Sequence, residues 1–183
     1  MIKINLGCGW RNFGSDWIHI DGGDYDHLDY KDITKLEFDD NSVELIYVSH
    51  VLEYFDINEA KQLLREWRRV LKPGGELRVA VPDFEAMNVL YHNGKVTLND
   101  IIGPLYGRMQ MGEEIIYHKT TYDYETLYNL LYELAYNNIE RYDWRNYEVH
   151  RQNDDHSQAY LNPKGEKDTG TLISLNVTCN KIG

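Results

Sequence analysis

The sequence predicts an α/β fold with a mostly parallel central sheet. Two short apolar runs, 43–48 and 77–81, have the composition of buried strands, and a helical pattern lies between them. That pattern begins at Asp56, with Glu59 three residues later as in a capping box, and it stops at the Pro-Gly-Gly of 73–75. Strands that alternate with helices form a parallel sheet with both faces covered.

The first two predicted strands lie close together in the chain. One ends at Leu6, the next runs from Ile18 to Ile20, and eleven residues separate Leu6 from Ile18. A parallel crossover usually needs about a dozen residues or more. We therefore expect a reduced first helix.

Regular elements continue in the second half of the chain. Residues 84–92 predict a short helix, and four leucines between 127 and 134 predict an amphipathic one. Strands are expected at 139–144 and at 173–179, where apolar and polar residues alternate. Because no helix separates these last two strands, they predict an antiparallel hairpin at the C-terminal edge of the sheet.

Two segments interrupt this framework. Residues 93–122, with several glycines, predict an insertion or lid, and residues 146–170 predict a long polar loop at the tip of the hairpin. Loops of that length are usually functional or disordered. No internal boundary is evident, so residues 1–183 are expected to form a single domain.

Composition restricts the class of partner and the compartment. The chain has 183 residues and a formal net charge of −11, which argues against nucleic acid as a partner. A local basic cluster is expected on the solvated face of a helix: Arg65, Arg68, Arg69 and Lys72. No apolar run approaches the ~20 residues that span a bilayer, so membrane insertion is not expected. Two cysteines without disulfide or metal-ligand spacing indicate a cytoplasmic protein, and no metal is expected.

The first 21 residues carry the strongest functional pattern. A β-prone run enters the turn Gly7-Cys8-Gly9, and the following short strand ends in Asp21. Glycine lets a ligand approach the backbone, and a carboxylate at the tip of the next strand can accept hydrogen bonds from ribose hydroxyls. The pattern predicts a nucleoside site. It disfavours NAD, because Gly14 stands too far along to be the third glycine of that fingerprint.

Further motifs follow in order: Asp32-Ile33, then VSHVLEY at 48–54, VLKPGG at 70–75 and VPDF at 81–84. This series resembles the class I S-adenosylmethionine-dependent methyltransferases, most of all a subgroup of small, methyltransferase type 11-like proteins. The resemblance covers residues 2–92 and continues through 117–119 and 154–160 into the last strand. It implies a Rossmann-like class I methyltransferase fold, S-adenosylmethionine as the cofactor and S-adenosylhomocysteine as its product.

The resemblance also implies a set of cofactor-binding residues: Leu6, Gly7, Cys8, Gly9, Asp21, Asp32, Ile33, Ser49, His50, Leu52 and Tyr54. Within this set, Asp21 would accept hydrogen bonds from the ribose hydroxyls. Asp32, with the backbone of Ile33, would bind near the adenine amine. Ser49 and His50 would lie beside the methyl donor.

Three histidines are candidates for a general base, because a hydroxyl or ammonium acceptor must lose a proton. His50 is the first, since the carboxyl ends of strands in such sheets face the ligand. His118 in the expected lid and His156 in the polar loop could reach the cleft if those segments fold over it. Each could instead serve only packing. A metal group drawn from residues 150–156 is disfavoured by its loose spacing.

We expect methyl transfer to a small molecule, with a sugar or polysaccharide-precursor hydroxyl as the acceptor. The alternatives are a non-catalytic S-adenosylmethionine-binding module of the same fold and a methyltransferase that acts on protein or RNA. Tyrosines recur every four residues at Tyr124, Tyr128, Tyr132 and Tyr136. Such a helical stripe indicates packing or the face of a homodimer more than a substrate platform.

Overall fold

The computed structural model describes residues 1–153 and 155–183. Its strands are β1 (Lys3–Leu6), β2 (Ile18–Ile20), β3 (Val43–Ser49), β4 (Leu71–Pro82), β5 (Met109–Met111), β6 (Glu114–Ile116), β7 (Tyr136–Arg141), β8 (Tyr160–Leu161), β9 (Thr171–Leu172) and β10 (Ser174–Lys181). Its α-helices are α1 (Ile57–Val70), α2 (Phe84–His92), α3 (Leu98–Tyr106), α4 (Tyr124–Glu133) and α5 (Glu148–Gln152). Short 3-10 helices lie at Leu52–Tyr54, Trp144–Asn146 and His156–Gln158.

The main sheet has the strand order β2-β1-β3-β4-β10-β7. The first four strands in this order are parallel, whereas β10 runs antiparallel to both β4 and β7. Leu6 pairs with Ile20 on one side and with Val48 on the other, so three strands end at the same edge. The predicted α/β class, the mostly parallel sheet and the antiparallel C-terminal edge are confirmed.

Turns replace a helix between β1 and β2, as the short gap predicted. The ring of Phe13 packs edge-on against Trp17 at 5.3 Å between centroids, and lies 5.6 Å from the ring of Tyr47. The Phe13 N–H donates to His19 Nε2 at 2.8 Å. Aromatic packing on the sheet therefore takes the place of the missing helix.

Helix α1 begins at the predicted capping box, in which Asp56 and Glu59 bond each other's backbone N–H groups. Its apolar face, including the fully buried Trp67, joins the main core cluster together with the leucines of α4. The Trp67 indole N–H donates to the carbonyl of Ile33 at 3.2 Å, which fixes the segment between β2 and β3 against this helix. Burying side chains of this size contributes roughly 2 to 3 kcal/mol each.

The edge strand β7 begins and ends earlier than the sequence predicts. Ala135 takes a left-handed φ of 60°, so the chain turns directly after α4, and β7 starts at Tyr136. Tyr136 is fully buried and its hydroxyl donates to the carbonyl of Leu64 at 2.9 Å. Hence it does not belong to a helical tyrosine stripe. Tyr128 and Tyr132 expose their stacked rings on α4, and a homodimer through them stays a prediction.

The two interrupting segments have structure of their own. Residues 93–122 contain helix α3 and the β5–β6 hairpin, and residues 146–170 contain helix α5 and strand β8, which pairs with β9. Tyr122, at the end of the first segment, bridges to Asp83 after β4. The first segment is therefore anchored to the carboxyl edge of the sheet, where Asp83 follows β4.

Other expectations from composition can be compared with the described residues. Arg69 forms ion pairs with Glu66 and Asp40, and Lys72 pairs with Glu44, so acidic neighbours balance much of the basic cluster. Within residues 1–153 and 155–183, no helix is long and apolar enough to cross a membrane.

Candidate cofactor and acceptor site

A large cleft opens where β1 and β3 end. Its volume is about 1690 Å³, larger than the ~300–1,000 Å³ of a typical ligand pocket. The glycine turn and the acidic residues after β2 line one part of it. Residues 49–55 after β3, the 93–122 insertion and the 156–167 loop line most of the rest. The insertion and the loop therefore form walls of one site.

The glycine turn is held tightly under the end of β3. Gly7 has a left-handed φ of 66°, and its N–H donates to the carbonyl of Ile20 at 2.7 Å. A Cβ added to Gly7 would stand 2.2 Å from Cγ2 of Val51, so no larger residue fits without a shift. The turn is therefore fixed by packing as well as by backbone conformation.

Asp21 lies across this turn with both carboxylate oxygens in use. One oxygen accepts from the N–H of Gly9 at 2.8 Å and the other from the N–H of Gly23 at 2.7 Å. The carboxylate lines the cleft and, with two acceptor sites on each oxygen, can accept further hydrogen bonds. Asp21 is thus pre-positioned between two glycine turns.

Asp32 and Ile33 border the same cleft, but each also has a local structural role. One oxygen of Asp32 accepts from the N–H and hydroxyl of Thr34 and from the N–H of Lys35. These hydrogen bonds, above all those of Thr34, lower the pKa of Asp32. The carbonyl of Ile33 is engaged by Trp67. Their adenine-binding role stays a prediction.

Three members of the predicted cofactor set do not line the cleft. The side chains of Leu6 and Leu52 are fully buried in the core, and Cys8 is buried in the turn. Burial, together with Asp21, raises the pKa of the Cys8 thiol to about 12, which keeps it protonated. These three residues can therefore contact a ligand in the cleft only through their backbone atoms.

Ser49 and Tyr54 face the cleft directly. The Ser49 hydroxyl oxygen is buried and has no hydrogen-bond partner among the described residues. Tyr54 donates from its hydroxyl to the carbonyl of Gly107 at 3.0 Å, which joins the end of β3 to the insertion. Buried polar atoms are nearly always paired, so the Ser49 oxygen indicates a missing partner such as a ligand or water.

The three candidate histidines meet at one side of the cleft. His50 follows β3 with a left-handed φ of 54°, and its ring centroid lies 5.2 Å from that of His156. The ring of His118 packs edge-on against Tyr54 at 4.5 Å. The structure therefore brings together residues that stand up to 106 positions apart (156 − 50) in the sequence.

Both ring nitrogens of His50 face hydrogen-bond acceptors. Nδ1 lies 3.2 Å from Oε1 of Glu53, and Nε2 lies 3.0 Å from the Ser174 hydroxyl. That hydroxyl uses its own proton to bond the carbonyl of His156. Ser174 must then accept from Nε2, whereas Nδ1 lies beside a Glu53 oxygen that has no hydrogen-bond partner among the described residues.

His156 and His118 have different surroundings. The protein atoms packed around His156, with smaller effects of His50 and Arg11, lower its pKa to about 4. Its ring keeps an exposed edge in the cleft, where solvent moderates this effect, and the direction favours a neutral imidazole at pH 7. Burial also lowers the pKa of His118, although Glu53 opposes this.

The sequence motifs did not identify Glu53 or Ser174 as residues of the site. Glu53 is fully buried, and its Oε1 lies 3.2 Å from His50 Nδ1 and 3.8 Å from His118 Nε2. A signal existed, since a carboxylate three residues after a histidine faces it in a helical turn. Ser174 had none, because it lies 124 residues from His50.

The 150–156 segment does not assemble a metal centre within the described part of the chain, where no three ligand side chains are placed to hold an ion. Asp154 lies outside that part. His150 is fully buried among Phe13, Tyr47 and Tyr142. Asp155 accepts a hydrogen bond from the Tyr47 hydroxyl at 2.5 Å.

Comparisons with known proteins agree with this geometry. Residues 20–79 match the family model of a methyltransferase domain. No curated protein sequence matches the chain.

Solved structures share the fold over almost the whole chain. A SAM-dependent methyltransferase from Methanosarcina mazei is 18% identical with a TM-score of 0.58, covering 99% of this chain and 92% of that one. One from Archaeoglobus fulgidus is 14% identical with a TM-score of 0.58, covering 98% and 86%. The Burkholderia thailandensis 1,6-didemethyltoxoflavin-N1-methyltransferase, with bound 1,6-didemethyltoxoflavin and S-adenosylhomocysteine, is 10% identical with a TM-score of 0.55, covering 100% and 71%. The chain thus has the class I methyltransferase fold, and its predicted resemblance to methyltransferases is confirmed.

Proposed function

We propose that the protein transfers a methyl group from S-adenosylmethionine to a hydroxyl of a small molecule such as a sugar. The observation that carries the proposal is one cleft that holds a pre-positioned Asp21 at one part and three histidines at another. The methyltransferase-domain match over residues 20–79 supports the reaction class, and the neighbour that binds S-adenosylhomocysteine supports the cofactor.

The residues present fit S-adenosylmethionine. The Asp21 carboxylate can accept from two ribose hydroxyls, and the turn at Gly7 presents backbone without side-chain bulk. The buried Ser49 hydroxyl lacks a partner among the described residues and can bond a polar group of the ligand. When bound, this cofactor would supply an electrophilic methyl group, whose bond to the positively charged sulfur breaks as the acceptor oxygen bonds to the methyl carbon, with S-adenosylhomocysteine as the leaving group.

The chain's own contribution to the chemistry is orientation and proton transfer. A hydroxyl acceptor must lose its proton to a base within hydrogen-bond reach. His156 is the histidine best placed to accept it, because its exposed ring lies in the cleft and is neutral at pH 7, while its lowered pKa makes it a weaker base than a free imidazole. His50 donates from Nε2 to Ser174, so it is better suited to donate and orient.

A sugar-like acceptor fits the mixed lining of the cleft. The rings of Trp10, Tyr117 and Tyr160 line it together with charged side chains such as Lys164 and Asp100. Trp10 is 66% exposed at the cleft, so its ring is available to a ligand. Flat aromatic bodies beside polar groups suit the apolar faces and hydroxyls of a sugar.

Transfer of a labelled methyl group tests the proposal. Wild-type protein should methylate members of a panel of small sugars and polysaccharide precursors. His156→Gln should lower kcat by about 100-fold, the usual contribution of a general base. His92→Gln, a substitution of an exposed histidine outside the cleft, should leave the rate unchanged.

The outcomes separate the competing functions. Label in RNA or protein but in no small molecule would contradict the proposed acceptor. Binding of S-adenosylhomocysteine without transfer to any acceptor would instead favour a non-catalytic module. The hydrogen bond from His50 Nε2 to Ser174 makes this the second candidate.

A further inference from the structure

The short 3-10 helix His156–Gln158 presents one exposed side chain between buried neighbours. His156 is exposed and lines the cleft, whereas Asp155 is 6% exposed and Ser157 is fully buried. The His156 ring centroid lies 5.2 Å from that of His50. A single helical turn is not stable by itself, so contacts with the rest of the molecule must hold this geometry.

Side chains of strand β10 bond two consecutive carbonyls of this helix. The Ser174 hydroxyl donates to the carbonyl of His156. The Asn176 side-chain N–H donates to the carbonyl of Ser157 at 2.9 Å. Ser174 and Asn176 are each 3% exposed and stand two positions apart, so their side chains leave the same face of the sheet. Because β10 lies between β4 and β7, the helix is held to an interior strand.

A second anchor lies on the other side of His156. One oxygen of Asp155 accepts from the hydroxyl of Tyr47, on β3, at 2.5 Å. The other oxygen accepts from the N–H of Ser157 at 2.9 Å. The residues before and after His156 are therefore tied to two different strands, while its ring lies in the cleft.

Ser174 contacts both histidines of this part of the site. Its hydroxyl oxygen lies 3.0 Å from Nε2 of His50, and its proton goes to the carbonyl of His156. Loss of this hydroxyl would leave that carbonyl without its partner from β10. Since an unpaired buried acceptor is costly, the helix would shift to find another donor.

We propose that Ser174 and Asn176 are positioning residues, which hold the 156–158 helix against β10 so that the ring of His156 stays within reach of the methyl acceptor. Neither residue lines the cleft, so both act through His156. The inference rests on the proposed function for the acceptor alone. The hold on the helix can be measured without cofactor or acceptor.

Hydrogen exchange in the full, cofactor-free chain tests the hold on the helix. Ser174→Ala and Asn176→Ala each remove one donor. Protection of the Gln158 and Ala159 amides, which form the helix's own hydrogen bonds, should then fall about tenfold. Either variant serves if the other does not fold, because the two hydrogen bonds hold adjacent carbonyls.

The chain offers a matched control for each substitution. The Ser42 hydroxyl donates to the carbonyl of Asp39 at 2.7 Å. The Asn180 side chain, also on β10, donates to the carbonyl of Gly74 at 3.1 Å. Both bonds lie outside the cleft. Ser42→Ala and Asn180→Ala should therefore leave the protection of the helix and kcat unchanged.

A double-mutant cycle tests whether Ser174 acts through His156. In the wild-type background, Ser174→Ala should lower kcat about tenfold because the base moves away from the acceptor, while affinity for S-adenosylhomocysteine stays within about threefold. In the His156→Gln background, the same substitution should change kcat by less than about twofold. A residue that served folding alone would not show this dependence on His156.

Two results would overturn the inference. One is wild-type amide protection in folded Ser174→Ala and Asn176→Ala. The other is an equal loss of kcat from Ser174→Ala in both backgrounds, since Ser174 would then act by another route. If the wild type methylates no small acceptor, the proposed function fails instead, and the exchange measurements still decide whether β10 holds the helix.

Discussion

At the residue scale, Gly7 is the position where backbone conformation and packing act together. Its left-handed φ disfavours any side chain, and its neighbour Val51 fills the space that a Cβ would take. Gly14 has a comparable φ of 89° but no heavy atom within 4 Å of an added Cβ. Substitutions at these two positions therefore distinguish the cost of backbone strain, common to both, from the cost of a steric clash, which arises only at Gly7.

Gly7→Ala should destabilise the protein more than Gly14→Ala. Backbone strain of about 1 kcal/mol is common to both, and overpacking against Val51 adds about 2 kcal/mol in the first. Urea denaturation measures the difference in the free energy of unfolding. Equal losses in the two variants would mean that the turn can move away from Val51.

The sequence predicted the glycine turn and Asp21 because each is a local signal at the end of a strand. It could not predict that the backbone of Gly23 would hold Asp21, or that Ser174 would face His50. Such contacts depend on strand order and on loop conformation. No pattern within a short window contains them.

At the element scale, the 93–122 insertion is anchored to the end of β3 rather than loosely attached. Tyr54 donates to the carbonyl of Gly107, and the last residues of the insertion bond the backbone of Glu53. His118 packs so closely on Gly107 that an added Cβ would lie 1.8 Å from its Nε2. The insertion therefore forms a fixed wall of the cleft at this end.

Gly107→Ala should loosen this anchor by displacing His118. Protection of the Lys119 and Thr120 amides from hydrogen exchange should fall by about tenfold, which corresponds to roughly 1.4 kcal/mol of local stability. Gly112→Ala is the control, because Gly112 has a similar φ of 59° and open space around it. Unchanged amide protection in Gly107→Ala would show that His118 does not anchor the insertion.

Helix α1 and strand β10 were predictable because a capping box and a period-two pattern are properties of short windows. Strand β7 was misplaced by about three residues, because the left-handed turn at Ala135 leaves no mark in a sequence that continues with helix-like spacing. Helix α3 was also missed, since Gly103 and Pro104 within it signal a loop.

At the scale of the whole molecule, the buried His150 makes stability depend on pH. Burial lowers its pKa from 6.5 to about 4, and neither ring nitrogen has a hydrogen-bond partner among the described residues. Below pH 6.5 the unfolded chain binds a proton on this ring, whereas the folded chain does not until about pH 4. The free energy of unfolding should therefore fall as pH drops through this window.

Between pH 7 and pH 5, His150 should lower the free energy of unfolding by about 2 kcal/mol. His150→Phe should remove it, because phenylalanine suits the surrounding aromatic rings and does not titrate. His92→Phe, at an exposed position, should keep the pH dependence of the wild type. Urea denaturation at both pH values measures the change in the free energy of unfolding. If His150→Phe shows the same change as the wild type, the assignment to His150 is contradicted.

Lowered carboxylate pKa values act at more acidic pH. Glu66 has a lowered pKa mainly because Arg69 donates hydrogen bonds to it. Its contribution to the free energy of unfolding is therefore fully present above about pH 4.5 and is lost as the pH falls below that. The two effects can be separated, because His150 acts at higher pH.

The central claim is that this cleft binds S-adenosylmethionine through Asp21, and calorimetry with S-adenosylhomocysteine tests it most directly. The wild type should bind one equivalent of the ligand and should not bind NAD. Asp21→Asn should weaken binding at least about tenfold, because it removes a charged acceptor of hydrogen bonds. Asp26→Asn, an exposed neighbour outside the cleft, should bind like the wild type. No heat of binding by the wild type at millimolar ligand, or unchanged affinity in Asp21→Asn, would contradict the account.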